Sequence, residues 1–410
     1  MINLCRLCEN PLQHIFVDLG ASPLANSYLK ADQINQMEPF YPLRAYVCTQ
    51  CYLVQVPVFQ SSEAIFGEYA YFSSFSDSWL QHAKAYTESM IERFGFDAGS
   101  QVIEIASNDG YLLQYFAERG IPVLGIEPAK NVALAAQTAG IQTLVKFFGY
   151  RIAVELTQED YYADLLIGNN VLAHVPDLND FVKGMKAILK PQGIITMEFP
   201  HLMRLMAENQ FDTIYHEHFS YFSFMTVNRL FAQHGLTIFD VDELTTHGGS
   251  LRIYARHAED RAKDICEHVE NLLKREKENG FEKLDLYLSF NQKVKSTKRL
   301  ILDFVNQSKN AGKTLVGYGA PAKGNTLLNY CGIRTDYIEY TVDRSPHKQG
   351  HFLPGTHIPI YHPDKIKETR PDYVVILPWN LKDEIMHQMA HIRDWGGEFV
   401  TFIPEVKIYS

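Results

Sequence analysis

The stretch Val102-Ile-Glu-Ile-Ala-Ser-Asn-Asp-Gly110 joins a short apolar strand pattern to a tight polar turn. The segment 111–118 that follows has the apolar spacing of a helix, so the turn also opens a helix. Backbone amides at such a turn can approach a ligand closely, and a helix N-terminus favours negative charge. The pattern predicts a ligand-binding strand–turn–helix unit at the start of an α/β domain.

The next apolar run ends in Gly125-Ile-Glu127-Pro128, which adds an acidic residue to this candidate ligand site. A carboxylate at the end of the second strand can accept hydrogen bonds from ribose hydroxyls. The two segments predict a nucleoside-containing ligand, although an ordinary αβ unit with a surface Glu would show the same residues. NAD and S-adenosylmethionine both satisfy this pattern, so the residues alone leave the cofactor open. The candidate cofactor contacts here are Glu104, Ala106, Asn108, Gly110, Glu127 and Pro128.

Apolar runs alternate with amphipathic helical stretches on the C-terminal side of this unit. This alternation predicts an α/β fold with a doubly wound, buried parallel sheet. A second alternating set near the C-terminus predicts a further α/β domain. The predicted domains are a zinc-binding module over 1–57, a central domain over 58–257 with a helical lead-in at 58–96, and a C-terminal domain over 258–410 with a charged helical linker at 258–311.

Two Cys-x-x-Cys pairs account for four of the six cysteines, namely Cys5, Cys8, Cys48 and Cys51. Four thiolates close a tetrahedral zinc site, and each short knuckle presents two sulfur atoms to one side of the ion. A module of roughly 55 residues has a small core, and a metal would stabilise it. The pattern predicts one structural zinc ion. Disulfides or free thiols are the alternatives, and a cytosolic setting argues against disulfides.

The chain has 410 residues and a formal net charge of −10. So acidic a chain is poorly suited to coat a nucleic-acid backbone, although a local basic pocket could still hold one anionic ligand. No apolar run reaches the length of a membrane span, and the N-terminus does not resemble a secretory signal. We therefore expect a cytoplasmic protein with no nucleic-acid or membrane partner.

Polar side chains follow the apolar run at 164–167, where the sequence reads Gly168-Asn169-Asn170 and continues to His174. The carboxyl ends of parallel strands face the ligand crevice of a doubly wound sheet. Asn169, Asn170 and His174 are therefore candidates for ligand contact, and a structural role is the alternative for the histidine.

Residues 211–223 concentrate phenols, imidazoles and a carboxylate within a few positions. The His-x-His spacing lacks the helical i, i+4 pairing of a zincin site, so a metal here would need ligands from elsewhere. An imidazole base oriented by a carboxylate, beside phenols that hydrogen-bond an oxyanion, suits deprotonation next to a carbonyl. A polar loop capped by aromatic rings is the structural alternative. The residues concerned are Tyr215, His216, Glu217, His218 and Tyr221.

A glycine-rich turn opens the last domain with Gly317-Tyr-Gly-Ala-Pro-Ala-Lys323-Gly-Asn325. A turn of this kind at a helix N-terminus is an anion site, and the lysine adds positive charge. The third glycine falls two positions later than in Gly-x-Gly-x-x-Gly, so a working dinucleotide site is doubtful. Arg344 and Lys348 follow the next predicted strand and could also meet a phosphate.

Across its whole length the chain resembles the S-adenosylmethionine-dependent sugar C-methyltransferases of deoxysugar biosynthesis. The resemblance rests on four features in order: the cysteine pairs, Glu104-Ile-Ala-Ser-Asn-Asp-Gly110, Tyr215-His-Glu-His218 and Gly317-Tyr-Gly-Ala-Pro-Ala-Lys-Gly324. It implies an N-terminal zinc module, a central class I methyltransferase domain of Rossmann-like fold and a C-terminal Rossmann-like domain. A nucleotide-linked 4-keto-deoxysugar would lie between the last two domains, and a monomer is compatible with this arrangement.

The resemblance also implies roles for individual residues. His218 would be the base that takes the proton from C3 of the sugar, and the resulting enolate carbon would accept the methyl group. Tyr215, Glu217 and His174 would surround the keto sugar, and the metal would lie away from the chemistry. Two rivals stay open: an NAD(P)-dependent nucleotide-sugar oxidoreductase, and a zinc-ribbon nucleic-acid module or structural adaptor. The implied cofactor contacts also include Tyr69, Tyr71, Asn169 and Asn170, and the implied substrate contacts are His216, Tyr221, Lys323, Asn325, Arg344 and Lys348.

Overall fold

The structure, a computed structural model, describes residues 3–67 and 72–410 and arranges them as three β-sheets with flanking helices. Tyr69 and Tyr71, two of the predicted cofactor contacts, lie outside the described residues. The strands in chain order are β1 His14–Ser22, β2 Tyr41–Val47, β3 Val54–Gln55, β4 Val102–Ile105, β5 Val123–Ile126, β6 Thr143–Leu144, β7 Ala163–Asn169, β8 Leu189–Pro200, β9 Ser220–Tyr221, β10 Leu236–Leu244, β11 Ser250–His257, β12 Leu315–Tyr318, β13 Thr341–Val342, β14 Ile360–Tyr361, β15 Tyr373–Ile376, β16 Glu398–Thr401 and β17 Lys407–Tyr409.

The helices lie between these strands, as an alternating α/β sequence requires, and α2 leads into the central domain. In chain order they are α1 Ser62–Phe66, α2 Asp77–Phe94, α3 Leu113–Ala117, α4 Lys130–Thr138, α5 Tyr150–Gln158, α6 Leu178–Ile188, α7 Leu202–Ala207, α8 Phe224–Gln233, α9 Glu267–Glu278, α10 Leu284–Asn310, α11 Ala322–Cys331, α12 Lys365–Thr369 and α13 Lys382–Gln388.

The N-terminal sheet has the order β1-β2-β3-β9 and is antiparallel throughout. Its fourth strand comes from the middle of the chain, since Tyr221 of β9 pairs with Val54 of β3. The segment that carries Tyr215 and His218 therefore ends in a strand bound to the N-terminal domain. The domain limits drawn from the sequence remain a prediction, because this sheet draws on two of the predicted domains.

The central seven-stranded sheet has the order β6-β5-β4-β7-β8-β11-β10. Strands β4 to β8 run parallel, and every residue of β4 is buried, including Glu104 among its three apolar residues. Chain order reverses at β4, which lies between β5 and β7. A crevice opens outside the carboxyl ends of β4 and β7, because the connections from them leave in opposite directions.

Strand β11 departs from the parallel arrangement expected from the sequence. It runs antiparallel to both of its neighbours, β8 and β10. The connection 245–249 between β10 and β11 is too short for the crossover that a parallel pair needs, so the two strands form a hairpin. The crevice is unaffected, because β11 and β10 lie at the far edge of the sheet, beyond β8.

The C-terminal sheet has the order β14-β13-β12-β15-β16-β17, with only β17 antiparallel. Its own reversal point lies between β12 and β15, and the glycine-rich turn begins where β12 ends. The sequence therefore correctly predicted a Rossmann-like sheet in each of these two domains.

The long helix α10 joins the domains through one apolar face. Its buried residues recur at helical spacing, and the ring of Phe290 stacks on Phe16 of β1 with centroids 4.7 Å apart. The charged remainder of the helix faces solvent, as the linker composition predicted. Among the helices of the described ranges, none is long and apolar enough to cross a bilayer.

Candidate active site

One cavity of about 570 Å³ is lined by residues of both Rossmann-like domains. Its walls come from the carboxyl ends of β4, β5 and β7, from the 213–218 segment and from the glycine-rich turn before α11. Many of the residues singled out from the sequence line it, although they come from distant parts of the chain. These are Ala106, Asn108, Glu127, Pro128, Asn169, Asn170, His174, Tyr215, His218, Lys323 and Lys348.

The turn after β4 is held by the carboxylate of Glu127. The backbone N–H of Asn108 donates to Oε2 of Glu127 over 3.0 Å, and that of Ala129 donates to Oε1 over 2.8 Å. Ala106 and Asn108 both have left-handed backbone angles, with φ of 56° and 52°. Strained backbone of this kind is concentrated at functional sites. Burial raises the pKa of Glu127, whose oxygens keep further lone pairs for a ligand in the cavity.

Two predicted cofactor contacts, Glu104 and Gly110, lie behind the turn and not on the cavity wall. Glu104 is fully buried, and burial with the nearby Glu127 and Asp109 raises its pKa well above the usual range. Gly110 has φ of +79°, and a Cβ there would lie 3.0 Å from Cγ1 of Ile141. These two residues pack behind the turn and shape it, so their direct contact with the cofactor stays a prediction.

Asn169 offers an unused amide at the wall of the cavity. Its Oδ1 and Nδ2 atoms are both buried, and neither has a hydrogen-bond partner among the described residues. A buried polar group without a partner is costly and points to a missing ligand or water. The neighbouring Asn170 donates from Nδ2 to Nε2 of His247 over 3.1 Å.

His218 is fixed in one tautomer by the backbone. Its Nδ1 lies 3.0 Å from the carbonyl oxygen of Thr213, so Nδ1 carries the hydrogen and donates. Its Nε2 then accepts from the hydroxyl of Tyr215 over 2.8 Å. Burial lowers the pKa of His218 well below its ordinary value of 6.5. The imidazole is therefore neutral at pH 7 and presents a basic nitrogen to the cavity.

A second neutral imidazole, His174, stands beside the first with ring centroids 4.7 Å apart. Its Nδ1 donates to the backbone carbonyl of Glu217 over 2.9 Å, which leaves Nε2 as an acceptor. Burial lowers the pKa of His174 to about 4. The pair can accept protons or hydrogen bonds without carrying charge in the resting protein.

The hydrogen bond that orients His218 comes from the backbone, while the carboxylate of Glu217 contacts the N-terminal domain. It accepts a hydrogen bond from Nδ2 of Asn26 over 2.7 Å and does not reach the cavity wall. The backbone carbonyl of Thr213 orients His218 instead. Asn26 lies in the N-terminal domain, so the partner of Glu217 could not be found from the local sequence.

His216 and Tyr221, two of the predicted substrate contacts, lie behind the cavity wall, so these contacts stay a prediction. Nε2 of His216 donates to the carbonyl of Pro42 in the N-terminal domain over 3.2 Å. The hydroxyl of Tyr221 accepts from the backbone N–H of Tyr215 over 3.2 Å. Tyr215 and His218 face the cavity, whereas His216 and Glu217 between them contact the N-terminal domain, so residues that are adjacent in sequence are separated in space.

Lys323 enters the cavity from the glycine-rich turn of the C-terminal domain. Its Nζ donates to Oδ1 of Asn380 over 2.7 Å and lies 4.4 Å above the ring of Trp379. Burial lowers the pKa of Lys323 to about 8. Nε1 of Trp379 donates to the buried Asp212 over 2.7 Å, and burial raises the pKa of that carboxyl to about 6.

The other predicted anion contacts divide into one cavity residue and two that lie elsewhere. Nζ of Lys348 donates to the carbonyl of Ala320 over 2.9 Å at the cavity wall. Asn325 is buried and donates from Nδ2 to the carbonyl of Ala25 over 2.5 Å. Arg344 faces α13 on the surface. Neither Asn325, in α11, nor Arg344, after β13, lies on the cavity wall, so their contact with a phosphate stays a prediction.

His247 and two residues of the N-terminal domain, Asn26 and Tyr28, also line the cavity and were not predicted from the sequence. Burial lowers the pKa of His247 to about 4, and its ring lies 5.1 Å from that of Trp79. A histidine directly before two glycines in the connection 245–249 was a usable signal. Nothing near Asn26 and Tyr28 in the sequence marked them.

The four cysteines of the two pairs meet in the N-terminal domain. Their sulfur atoms all lie within 4.8 Å of one another, with 3.5 Å between Cys5 and Cys51 and between Cys8 and Cys48. Two sulfurs bound to a tetrahedral zinc at about 2.3 Å lie roughly 3.8 Å apart. The cluster therefore fits a closed structural zinc site.

Comparison with known proteins assigns each part of the chain. Three domain families match: a zinc binding domain over 5–66, a methyltransferase domain over 79–241 and a C-methyltransferase C-terminal domain over 245–404. The C-methyltransferase NovU of Streptomyces niveus is 34% identical over 409 residues, covering 100% of this chain and 97% of that protein. A ubiquinone biosynthesis O-methyltransferase of Bordetella avium (strain 197N) is 30% identical over 97 residues, 23% of this chain and 40% of that protein.

Solved structures resemble a part of the chain. The PH0226 protein of Pyrococcus horikoshii OT3 covers 48% of this chain and 99% of its own, with 16% identity and a TM-score of 0.37. The magnesium protoporphyrin IX methyltransferase of Synechocystis PCC 6803 with bound S-adenosylmethionine covers 43% of this chain and 78% of its own, with 13% identity and a TM-score of 0.33.

Proposed function

The chain belongs to the family of C-methyltransferases with an N-terminal zinc binding domain, and from that premise we propose that it methylates C3 of a nucleotide-linked 4-keto-deoxysugar. The observation that carries the proposal is the neutral His218, which presents Nε2 beside the hydroxyl of Tyr215 in the cavity between the two Rossmann-like domains. A carbonyl at C4 acidifies the hydrogen on C3, and a positioned imidazole is suited to remove it. The product would be a branched deoxysugar.

S-Adenosylmethionine, the cofactor of the methyltransferase domain, supplies a methyl group that is electrophilic because its sulfur is positively charged. We propose that Glu127 accepts hydrogen bonds from its ribose and that Pro128 and the 106–108 turn adjoin it. Asn169 and Asn170 would meet its polar groups from the end of β7. The unused amide of Asn169 supports this arrangement, because a polar ligand would satisfy both of its buried atoms.

Proton removal and charge stabilisation fall to different side chains in this proposal. Nε2 of His218 takes the C3 proton, and the electron pair of that C–H bond forms the enolate with oxygen at C4. The hydroxyl of Tyr215 turns from Nε2 to the enolate oxygen and donates to it, while Nε2 of His174 holds a sugar hydroxyl. A single donor aimed at a developing oxyanion lowers a barrier by several kcal/mol, roughly 2.7–4 in one measured case.

The diphosphate of the substrate would lie toward the C-terminal domain. Lys323 and Lys348 are the lysines of the glycine-rich side of the cavity, and ammonium groups bind phosphate as point charges. Their position on the wall opposite β4 leaves the sugar end next to His218.

The direct test is to incubate nucleotide-linked sugars with the protein and S-adenosylmethionine and to read the product masses. We expect a gain of one methyl group with 4-keto-deoxysugars and none with the corresponding 4-hydroxy sugars, whose C3 hydrogen is not acidic. Methylation of the 4-hydroxy compounds at the same rate would exclude the enolate route.

Replacing Glu127 by alanine is expected to weaken the binding of S-adenosylmethionine by about 1–3 kcal/mol, the value for hydrogen bonds to a charged group. Isothermal titration calorimetry with S-adenosylhomocysteine measures the loss. Glu127→Gln keeps the size of the side chain and separates charge from shape. Glu159→Ala, at an exposed position of the same domain, is the control and should bind normally. Unchanged affinity in Glu127→Ala would show that the ribose lies elsewhere.

The pH profile of kcat/KM should be flat from pH 6.5 to about 7 and should fall to half of its plateau near pH 8. A base works only when deprotonated, so the rate falls as pH drops through its pKa, and burial has moved the pKa of His218 below 6.5. Lys323 works only when protonated, so the rate falls as pH rises through about 8. Lys323→Gln should be slower and should lose the alkaline fall alone. An acid limb centred at or above pH 6.5 would contradict the assignment of His218.

A further inference from the structure

The cavity has a third wall that belongs to neither Rossmann-like domain. Asn26 and Tyr28 of the N-terminal domain line it together with His218 and Lys348. We propose that the zinc-binding domain is a part of the substrate site and that Asn26 and Tyr28 hold the sugar ring of the bound nucleotide sugar. This inference rests on the proposed function and adds the N-terminal domain to a site that the sequence placed between the other two domains.

Asn26 touches the segment that carries the base. Its Nδ2 donates to Oε1 of Glu217 over 2.7 Å, and the backbone carbonyl of Glu217 accepts from Nδ1 of His174 over 2.9 Å. Glu217 is only 3% exposed, so this link is buried. Asn26 therefore positions Glu217, which precedes His218 in the chain and whose backbone carbonyl fixes the tautomer of His174.

Tyr28 touches the opposite, glycine-rich side of the cavity. Its hydroxyl donates to the carbonyl of Ala320 over 2.6 Å, and Nζ of Lys348 donates to the same oxygen over 2.9 Å. Nζ of Lys348 also lies 5.5 Å from the centre of the Tyr28 ring. Tyr28 thus shares a hydrogen-bond acceptor with Lys348, which is proposed to bind the diphosphate. Asn26 contacts Glu217 on the side of the cavity that carries His218.

The first cysteine pair also contacts the segment that follows His218, through Arg6. Arg6 stands between the first two zinc-binding cysteines, and its guanidinium donates to the carbonyl of Phe219 and, over 3.1 Å, to Oγ of Ser220. Phe219 donates from its backbone to the carbonyl of Ala173, directly before His174. Together with the pairing of β9 to β3, these contacts hold the residues around His218 against the N-terminal domain.

The segment that carries Asn26 and Tyr28 is held firmly in place. Leu29 exchanges backbone hydrogen bonds with Phe352 of the C-terminal domain, at 3.0 and 2.9 Å. Glu38, at the other end of the same connection, accepts from the backbone N–H of Gly355 over 2.8 Å. On the other side of Asn26, the carbonyl of Ala25 accepts from Nδ2 of Asn325. A wall anchored in this way is preorganised, and preorganised groups bind a ligand at a lower ordering cost.

The chemistry of the wall indicates which part of the substrate meets it. An amide and a phenol are neutral hydrogen-bonding groups, which suit hydroxyl or keto oxygens and not a diphosphate. They lie between His218, which must reach C3, and Lys348, which is proposed to meet the diphosphate. The group that fits this position is the pyranosyl ring.

Steady-state kinetics of Tyr28→Phe and Asn26→Ala test the inference. We expect the KM for a 4-keto-deoxysugar nucleotide to rise about three- to tenfold in each, the usual loss of one hydrogen bond. Asn26→Ala should also lower kcat, because Glu217, next to His218 in the chain, loses the hydrogen bond from Nδ2 of Asn26. The affinity for S-adenosylhomocysteine should stay unchanged in both variants, since neither residue touches the proposed ribose site.

Tyr52→Phe is the matched control. The Tyr52 hydroxyl also crosses from the N-terminal domain to a backbone carbonyl, that of Glu282, over 2.7 Å, but it does not line the cavity. Its KM should match that of the wild type. An unchanged KM in Tyr28→Phe and Asn26→Ala, or an equal rise in Tyr52→Phe, would overturn the inference while leaving the proposed function in place. A wild type that methylates no nucleotide sugar would overturn both.

Discussion

Replacing His218 by alanine is expected to lower methyl transfer by about 10²–10⁴-fold, the usual contribution of one positioned base. The expectation follows from its fixed tautomer, in which Thr213 holds Nδ1 and Nε2 alone can take the C3 proton. Proton removal precedes methyl transfer, so it should be visible separately. Wild type with S-adenosylhomocysteine and a 4-keto sugar in D₂O should exchange the C3 hydrogen for deuterium, and His218→Ala should lose that exchange equally.

Two neighbouring variants control for disruption of the segment. His216→Ala removes a side chain that faces Pro42 and should lose much less exchange. Tyr215→Phe should slow exchange and methylation modestly, because it removes an oxyanion donor and keeps the base. If the wild type and His218→Ala exchanged deuterium equally fast, His218 would not be the base, and His174 would be the next residue to examine.

Loss of the zinc ion should have the largest effect on stability. Structural zinc binds small domains with about 10–16 kcal/mol of apparent free energy, and that energy is folding energy. Cys51→Ser should therefore reduce bound zinc below half an equivalent and expose the backbone amides of residues 41–56 to hydrogen exchange. Because Arg6 of the knuckle holds the segment beside His218, methylation should fall together with the N-terminal sheet.

Cys266→Ser is the control for the zinc prediction, since Cys266 is a free thiol outside the cysteine cluster. It should retain one equivalent of zinc and the same exchange pattern. Less than half an equivalent of zinc in freshly purified wild type would contradict the structural zinc site.

Local patterns in the sequence were enough to predict the fold and the family. The apolar run at 102–105 became the fully buried β4, and the cysteine pairs became one cluster. Family membership, methyltransferase activity, S-adenosylmethionine and the zinc site are confirmed by the comparisons and the cysteine geometry. The antiparallel β11 was missed because strand direction depends on the length of the connection before it.

Which side chains face the cavity could be predicted only in part. Glu127, Asn169 and Lys323 lie at strand ends or helix starts, where topology alone aims them at the crevice. The segment 215–218 has no such constraint: Tyr215 and His218 face the cavity, whereas His216 and Glu217 contact the N-terminal domain. Asn26, which donates a hydrogen bond to Glu217, and Tyr28 line the cavity but lie nearly two hundred positions earlier in the chain. No local sequence pattern could indicate that they meet this segment.

The position of the transferred methyl group tests the central claim most directly. The protein would be incubated with a nucleotide-linked 4-keto-deoxysugar and S-adenosylmethionine that carries an isotopically labelled methyl group, and the product examined by NMR. The enolate route predicts that the labelled carbon is bonded to C3 of the sugar. A label on an oxygen or nitrogen, or on any other ring carbon, would contradict it.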